Sequence, residues 1–195
     1  MLISGSELLD TQVMSLQTGK ELARTHAAII NPHNLSIIAY LLVGEHLDSD
    51  PSYLRVADIR EVGGLGIIVD SSDEFIETDD IITDEAIYEL DFTLLDKHVL
   101  DDRRKKLGKV SDYTVDVDSF VIQQLTVKRP FLKSFTDDEL LINRRQIVEV
   151  TDSAIVIKSG KIKAEKITQG MSRHYANPFR QTNPQPEVAN SDSND

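Results

Sequence analysis

Five histidines, His26, His33, His46, His98 and His174, are the first residues to weigh for chemistry, because the chain has no cysteine. Thiolate ligation and thiol nucleophiles are therefore excluded. No two histidines stand three or four residues apart, so none forms a helical metal-binding pair. A metal site would have to be assembled in space, with His26, His98 and a carboxylate as the candidates. His33 falls in the turn sequence Asn31-Pro-His-Asn34 and reads as a surface residue. Gly63-x-x-Gly66 precedes the apolar run Ile67-Ile-Val69. A phosphate cradle needs its glycines to open a helix, with a Lys and a Ser/Thr to meet the anion, and neither is present here. Residues 70–89 carry nine carboxylates but no glycine and no calcium-loop spacing, and read as a solvated connector. No Gly-x-Ser-x-Gly elbow occurs. Carboxylates are so numerous that no pair is singled out as general acid and base. The sequence thus assigns no catalytic, cofactor-binding or metal-ligating residue, and a non-enzyme is expected.

Charge is more informative. The chain carries 21 basic and 33 acidic side chains, a formal net charge of -12. Residues 1–90 hold 4 basic and 17 acidic side chains, whereas residues 91–160 hold 12 of each. Within the second half, Arg103, Arg104, Lys105, Lys106, Lys109, Lys128, Arg129, Arg144 and Arg145 form the candidate partner-binding basic patch. The acidic first half opposes binding to long polyanions and to anionic lipid. Tyr113 and Phe120 are the few aromatics near the basic residues, which gives poor support for stacking of single-stranded bases.

The elements that must position these residues are predicted to be strands. At 195 residues, with 40% hydrophobic but only 6% aromatic residues and no Trp, a core of Ile, Leu and Val is expected. No apolar run is long enough for a membrane span, mean hydropathy is -0.25, and the start does not resemble a signal peptide. A cytoplasmic protein without membrane insertion is expected. Ser6 reads as the cap of a short helical turn leading into a strand. Thr18-Gly19 reads as a tight turn, and Ala27–Ile30 as a strand. Ile37–Val43 is a seven-residue apolar run that suits a strand buried on both faces. Tyr113, Val115 and Val117, then Val121, Gln123, Leu125 and Val127, alternate as half-buried strands do. Residues 131–141 read as a loop.

The chain also repeats. Leu22 and Leu107, Leu35 and Phe120, and Leu41 and Thr126 each differ by 85 positions. Ile59 and Ile147, Val62 and Val150, and Val69 and Ile157 each differ by 88. A three-residue insertion before Leu54 or Ile142 reconciles the two offsets, so two β units of one plan follow each other. Over residues 161–175, Ile167, Met171 and Tyr175 at i, i+4 and i+8 predict a short helix. Residues 176–195, rich in Asn, Pro, Gln, Ser and Asp, read as a disordered tail.

The stretch Val13-Met-Ser-Leu-Gln-Thr-Gly-Lys-Glu-Leu-Ala, followed by Val56-Ala-Asp-Ile-Arg-Glu-Val-Gly and Ile67-Ile-Val-Asp, resembles the PRC-barrel domain. Leu107-Gly-Lys-Val-Ser-Asp-Tyr-Thr-Val-Asp resembles it again in the second half. That family includes the cytoplasmic part of the photosynthetic reaction centre H subunit and the C-terminal half of ribosome maturation factor RimM. The resemblance implies a mainly all-β chain of two tandem small antiparallel barrels, the acidic one over residues 1–90 and the other over 91–160. It also implies protein–protein contact and assembly, with no shared catalytic set and no cofactor. The expected role is a protein–protein adaptor. The alternatives are a ribosome- or RNA-associated assembly factor that uses the basic face, and a small-ligand binder. A homodimer is compatible with each. The two halves are expected to dock as one pseudo-symmetric unit, favoured by their opposite charge and by the linker at Tyr88–Phe92.

Overall fold

A computed structural model describes residues 1–45, 47–81, 92–129 and 139–158. The predicted helix over 161–175, the tail, His46, His174 and Tyr88 lie outside the described residues. The described chain is mainly β. The first half holds β1 (Leu2–Ser4), β2 (Gln12–Ser15), β3 (Glu21–Asn31), β4 (Ser36–Val43), β5 (Ser52–Arg55), β6 (Glu61–Gly63), β7 (Gly66–Val69) and β8 (Phe75–Ile76), followed by the single α-helical turn α1 (Thr78–Ile81). The second half holds β9 (His98–Asp101), β10 (Lys106–Asp116), β11 (Val121–Lys128), β12 (Glu139–Asn143), β13 (Ile147–Val150) and β14 (Ala154–Ile157).

The offsets of 85 and 88 align β3 with β10, β4 with β11 and β7 with β14, whereas β2 and β9 stand 86 apart. In the first half β2 pairs antiparallel with β3 and parallel with β7, while β3–β4, β4–β5 and β6–β7 are antiparallel. In the second half β9, β10, β11, β12, β13 and β14 repeat every one of those pairings. Backbone details recur as well. Asp10 and Asp96 both take positive φ, at 54° and 62°, as do Gly19 and Arg104, at 66° and 62°.

The halves join edge to edge. Ser36 on β4 stands opposite Val121 on β11. Ile37 N donates to the Phe120 carbonyl at 2.8 Å, and Ile122 N donates to the Leu35 carbonyl at 2.9 Å. Each residue in this exchange is matched with its own repeat partner, so a pseudo-two-fold axis passes between Ser36 and Val121. The resulting sheet runs β13-β14-β9-β10-β11-β4-β3-β2-β7-β6 and is open at both ends. Closure of each half into its own barrel is not part of this pairing. β1 crosses over and pairs with β10, setting Ile3 opposite Val115.

The largest apolar cluster spans the join. Leu8, Ile30, Leu35, Ile37 and Tyr40 from the first half pack with Val99, Val115, Phe120, Ile122, Leu125 and Ile142 from the second. Two buried tyrosines, Tyr40 and Tyr113, sit on non-equivalent strands of the two halves. Ala28 lies opposite Tyr40 across β3–β4, whereas Tyr113 lies opposite Leu125 across β10–β11. A large residue facing a small or flexible one fills the space between strands without overpacking. Burial and the neighbouring Tyr113 push the Tyr40 hydroxyl far above its ordinary range; burial, then Asp112, push that of Tyr113 up to about 12.

Several expectations need correction. The turn at Ser6–Leu8 is a 3-10 turn that follows Gly5, and no side chain caps it. The strand expected at Ala27–Ile30 begins earlier, at Glu21. β4 is not buried on both faces, because Ile38 and Leu41 are only half-buried and Val43 is 43% exposed. In β11 the buried set is Ile122, Leu125 and Val127, not Val121 and Gln123. A bulge moves the register from Thr114–Gln124 to Val115–Ile122 and reverses the alternation there. The loop expected over 131–141 ends earlier, since Glu139, Leu140 and Leu141 belong to β12.

Tyr40 Oη is buried with no hydrogen-bond partner. Deleting such a hydroxyl removes an unmet desolvation cost while leaving the ring in place. Tyr40→Phe is therefore expected to leave the thermal midpoint unchanged or to raise it by up to about 1 kcal/mol of stability, read by calorimetry. Gly108 sits where strands approach closely, and an added Cβ would lie 2.3 Å from the Lys128 carbonyl oxygen. Gly108→Ala is expected to cost about 1–3 kcal/mol in the same measurement.

Candidate functional site

Basic residues 103–106 stand on the turn between β9 and β10. Asp101, only 9% exposed, builds that turn. Its carboxylate accepts from Arg103 N at 2.9 Å and Lys105 N at 2.8 Å, and its backbone N donates to the Lys105 carbonyl at 3.0 Å. With the backbone donors turned inward, the side chains of Arg103, Arg104, Lys105 and Lys106 are exposed. Arg104 occupies left-handed space, an arrangement that costs a non-glycine residue about 1–2 kcal/mol. Its repeat counterpart is Gly19, and Asp101 corresponds to Ser15, whose hydroxyl oxygen accepts from Thr18 N at 3.2 Å. The equivalent turns are thus built with Ser and Gly in the first half, and in the second, one residue shorter, with Asp and a run of cations.

The next cations converge on a groove. Lys106, Lys109, Lys128 and Arg129 line a cavity of about 360 Å³ together with Asp96 and His98, over Gly108 and Val110. Lys109 and Lys128 are direct cross-strand partners. Like charges placed opposite each other destabilise a sheet pair. His98 lies beside Lys109 on β9, and Glu139 stands opposite Lys128 on β12. Among the described residues none of the four cations has a carboxylate within 4 Å. Lys97 contrasts with them. It lies 4.4 Å from the centre of the Phe92 ring and donates to the Asp152 carbonyl, and burial lowers its pKa.

The nine basic residues do not form one patch. Arg104 reaches Glu149 on β13 at 3.7 Å. Arg144 and Arg145 sit on a 3-10 turn (Arg144–Gln146) held by a capping box, in which Asn143 Oδ1 accepts from Arg145 N at 3.0 Å and Gln146 Oε1 accepts from Asn143 N at 2.9 Å. Asn143 pairs with Gln124, four residues along β11 from Lys128, which is about 13 Å of strand. Arg145 is exposed there, whereas Arg144 is half-buried and lines a different groove.

His26 is exposed on β3, His33 lies in its turn, and His98 flanks the basic groove. Among the described residues no three His, Asp or Glu side chains come close enough to hold a metal ion. No helix among them is long and apolar enough to cross a membrane. Sequence reasoning missed Asp101 as the organiser of the basic turn and missed the Lys109–Lys128 opposition. The first was hidden because Asp101 matches Ser15 at a spacing of 86, whereas the offset of 85 sets it against Leu16; the match comes from strand register. The second needed the strand register.

Replacing one member of the lysine pair turns repulsion into attraction. Lys109→Glu is expected to raise the stability of the free protein by about 0.2–1 kcal/mol, and 1 M salt, which screens exposed charges, is expected to shrink that gain, both read as denaturant midpoints.

No protein-family model matches the chain and no curated protein matches it in sequence.

Proposed function

We propose that the chain is a non-catalytic binding module of tandem PRC-barrel type, with one unit over residues 1–90 and the second over 91–160. Its role is that of an adaptor that docks an acidic segment of another protein. The observation that carries this reading is the groove at the end of β10 and β11. Four cations, none with a carboxylate within 4 Å among the described residues, surround an apolar floor and outnumber Asp96 in the lining and Glu139 opposite Lys128. An acidic strand or loop with an apolar side chain satisfies both features, supplying carboxylates to the rim and burying a side chain over Gly108 and Val110. The repulsion between Lys109 and Lys128, unfavourable in the free protein, is relieved when such a segment binds.

A second reading is phosphate contact with RNA. The run Arg103–Lys106 beside the groove favours it, because it lengthens the positive strip. The net charge of -12 opposes it, since a long polyanion approaching the strip also meets the field of the acidic half.

The two readings separate in one titration. A fluorescent peptide alternating Asp or Glu with Leu, and a single-stranded RNA of equal charge, are each added to the full chain at 50 and 200 mM salt. The peptide is expected to bind more tightly than the RNA, and Lys109→Glu is expected to weaken it about tenfold, or 1.4 kcal/mol. Tighter RNA binding with a steep salt slope overturns the adaptor reading in favour of the second. Binding of neither ligand, or peptide binding indifferent to Lys109→Glu, overturns both.

A further inference from the structure

The basic groove has a counterpart in the first half, built in the same register. There Arg24 stands opposite Gln12 on β2 and Val43 on β4, and Glu21 stands opposite Met14. In the second half Lys109 stands opposite His98 on β9 and Lys128 on β11, and Lys106 stands opposite Leu100. Arg24 therefore corresponds to Lys109, and Glu21 to Lys106. The pairing also slips at the same place in both halves. Leu22 is passed over between Glu21 and Ala23, as Leu107 is between Lys106 and Gly108. In a regular strand, residues three apart point to opposite faces. The extra residue brings them to one side.

The first half shows that side chains at these two positions meet. The Glu21 carboxylate accepts from Arg24 Nε at 2.9 Å and from Arg24 Nη2 at 3.3 Å, a two-oxygen pairing. The Asp10 carbonyl accepts from Arg24 Nη1 at 2.9 Å. The cation is thus answered from within its own half. In the second half Lys106 holds the position of the acid, so two ammonium groups face the place where Glu21 would put its carboxylate. Both lysines line the groove, with Gly108 between them along β10. Asp96, the counterpart of Asp10 with the same positive φ, lines the groove too, but it lies more than 4 Å from either ammonium.

We infer that the groove selects its acidic segment through one side-chain carboxylate, seated between Lys106 and Lys109 in the place that Glu21 fills in the first half. The inference rests on the adaptor reading and names the contact that gives it specificity. Lys106 is the determining residue. A glutamate at this position closes the site from within, as in the first half, whereas a lysine leaves a seat for a carboxylate from outside. Each oxygen of that carboxylate takes a charge-assisted hydrogen bond from one ammonium. Lys128 and Arg129, farther along the rim, attract the segment without fixing which of its acids is read.

The test is a double-mutant cycle between protein and ligand. The full chain is titrated with a peptide carrying one central Leu flanked by Glu residues on each side. Its ends are acetylated and amidated, so every carboxylate belongs to a side chain. The same peptide is then used with one Glu→Gln change at a time. With wild-type protein, one of these changes is expected to weaken binding about tenfold and the others far less. In Lys106→Ala that dominant loss is expected to shrink to the size of the others. Lys106→Glu rebuilds the first-half pairing with Lys109 and is expected to weaken every peptide about tenfold or more. Arg103→Ala, on the adjoining turn outside the groove lining, is expected to leave the dominant position unchanged. Lys106 and Arg103 are both exposed, so these variants keep the fold. Equal losses for all Glu→Gln peptides overturn the inference, as does a dominant loss undiminished in Lys106→Ala. If the intact peptide still binds and Lys109→Glu still weakens it, the adaptor reading survives that failure. Absence of binding by the intact peptide overturns both.

Discussion

The structure depends on a reciprocal pair of backbone hydrogen bonds between Leu35–Ile37 and Phe120–Ile122. To make them, Leu35 and Phe120 adopt left-handed backbone geometry, with φ of 50° and 52°. For branched or bulky side chains this costs about 1–2 kcal/mol each. Both side chains are nearly buried, at 4% and 7% exposure, in the cluster shared by the halves. Burying a side chain of that size contributes about 1.5–3 kcal/mol, which is enough to offset the backbone term. The strained conformation turns each chain inward at the moment it meets its counterpart. Two edges become one sheet, and neither half presents the edge of β4 or β11 to solvent at that point.

Two-fold relation at the join has a consequence for chemistry. Whatever the first half contributes at one position, the second contributes its counterpart at the repeat-related position. The repeat fixes backbone positions and leaves side chains free to diverge. Ser15 and Gly19 correspond to Asp101 and Arg104 on equivalent turns of unequal length. Ala23 corresponds to Gly108, which floors the basic groove, and Val56 corresponds to Arg144. The strand pairing is kept at each, although the turn after Asp101 is one residue shorter than the turn after Ser15. Asp101 replaces a hydroxyl acceptor with a carboxylate that holds two N–H groups, and Gly108 removes a Cβ that would strike Lys128. The second half is thus the first half's scaffold with cations placed on its turns and strand ends.

The parts of this arrangement that were legible in the sequence are those that depend on periodicity along the chain. Spacings of 85 and 88 between matching apolar residues located the repeat, and Asn31-Pro-His-Asn34 and Thr18-Gly19 located turns. Features set by neighbours across strands were not legible. The alternation in Val121–Val127 was misread because β11 carries a bulge at Gln123, where two of its steps oppose the single step Thr114–Val115 of β10, and only the pairing across strands reveals that reversal of phase. Arg144 and Arg145 were grouped with Lys128 because all are basic, but the pairing of β11 with β12 sets them at opposite ends of a strand. A patch defined by charge alone ignores direction, and direction comes from register.

Charge asymmetry was expected to draw the halves together, and the structure assigns it a different place. Among the described residues no Lys or Arg of the second half forms an ion pair with a carboxylate of the first; the one ionic contact across the join runs from the Met1 ammonium to Asp116 and Asp118. Exposed pairs of that kind contribute about 0–1 kcal/mol, far less than the shared apolar cluster. The join therefore rests on apolar burial and backbone hydrogen bonds, which are indifferent to the sign of the surface. Because docking does not consume them, Lys106, Lys109, Lys128 and Arg129 keep their charges facing solvent. An acidic first half covalently attached nearby sharpens their selectivity: it repels extended polyanions at long range, while a short acidic segment that fits the groove is held at contact distance, where attraction exceeds the screened repulsion.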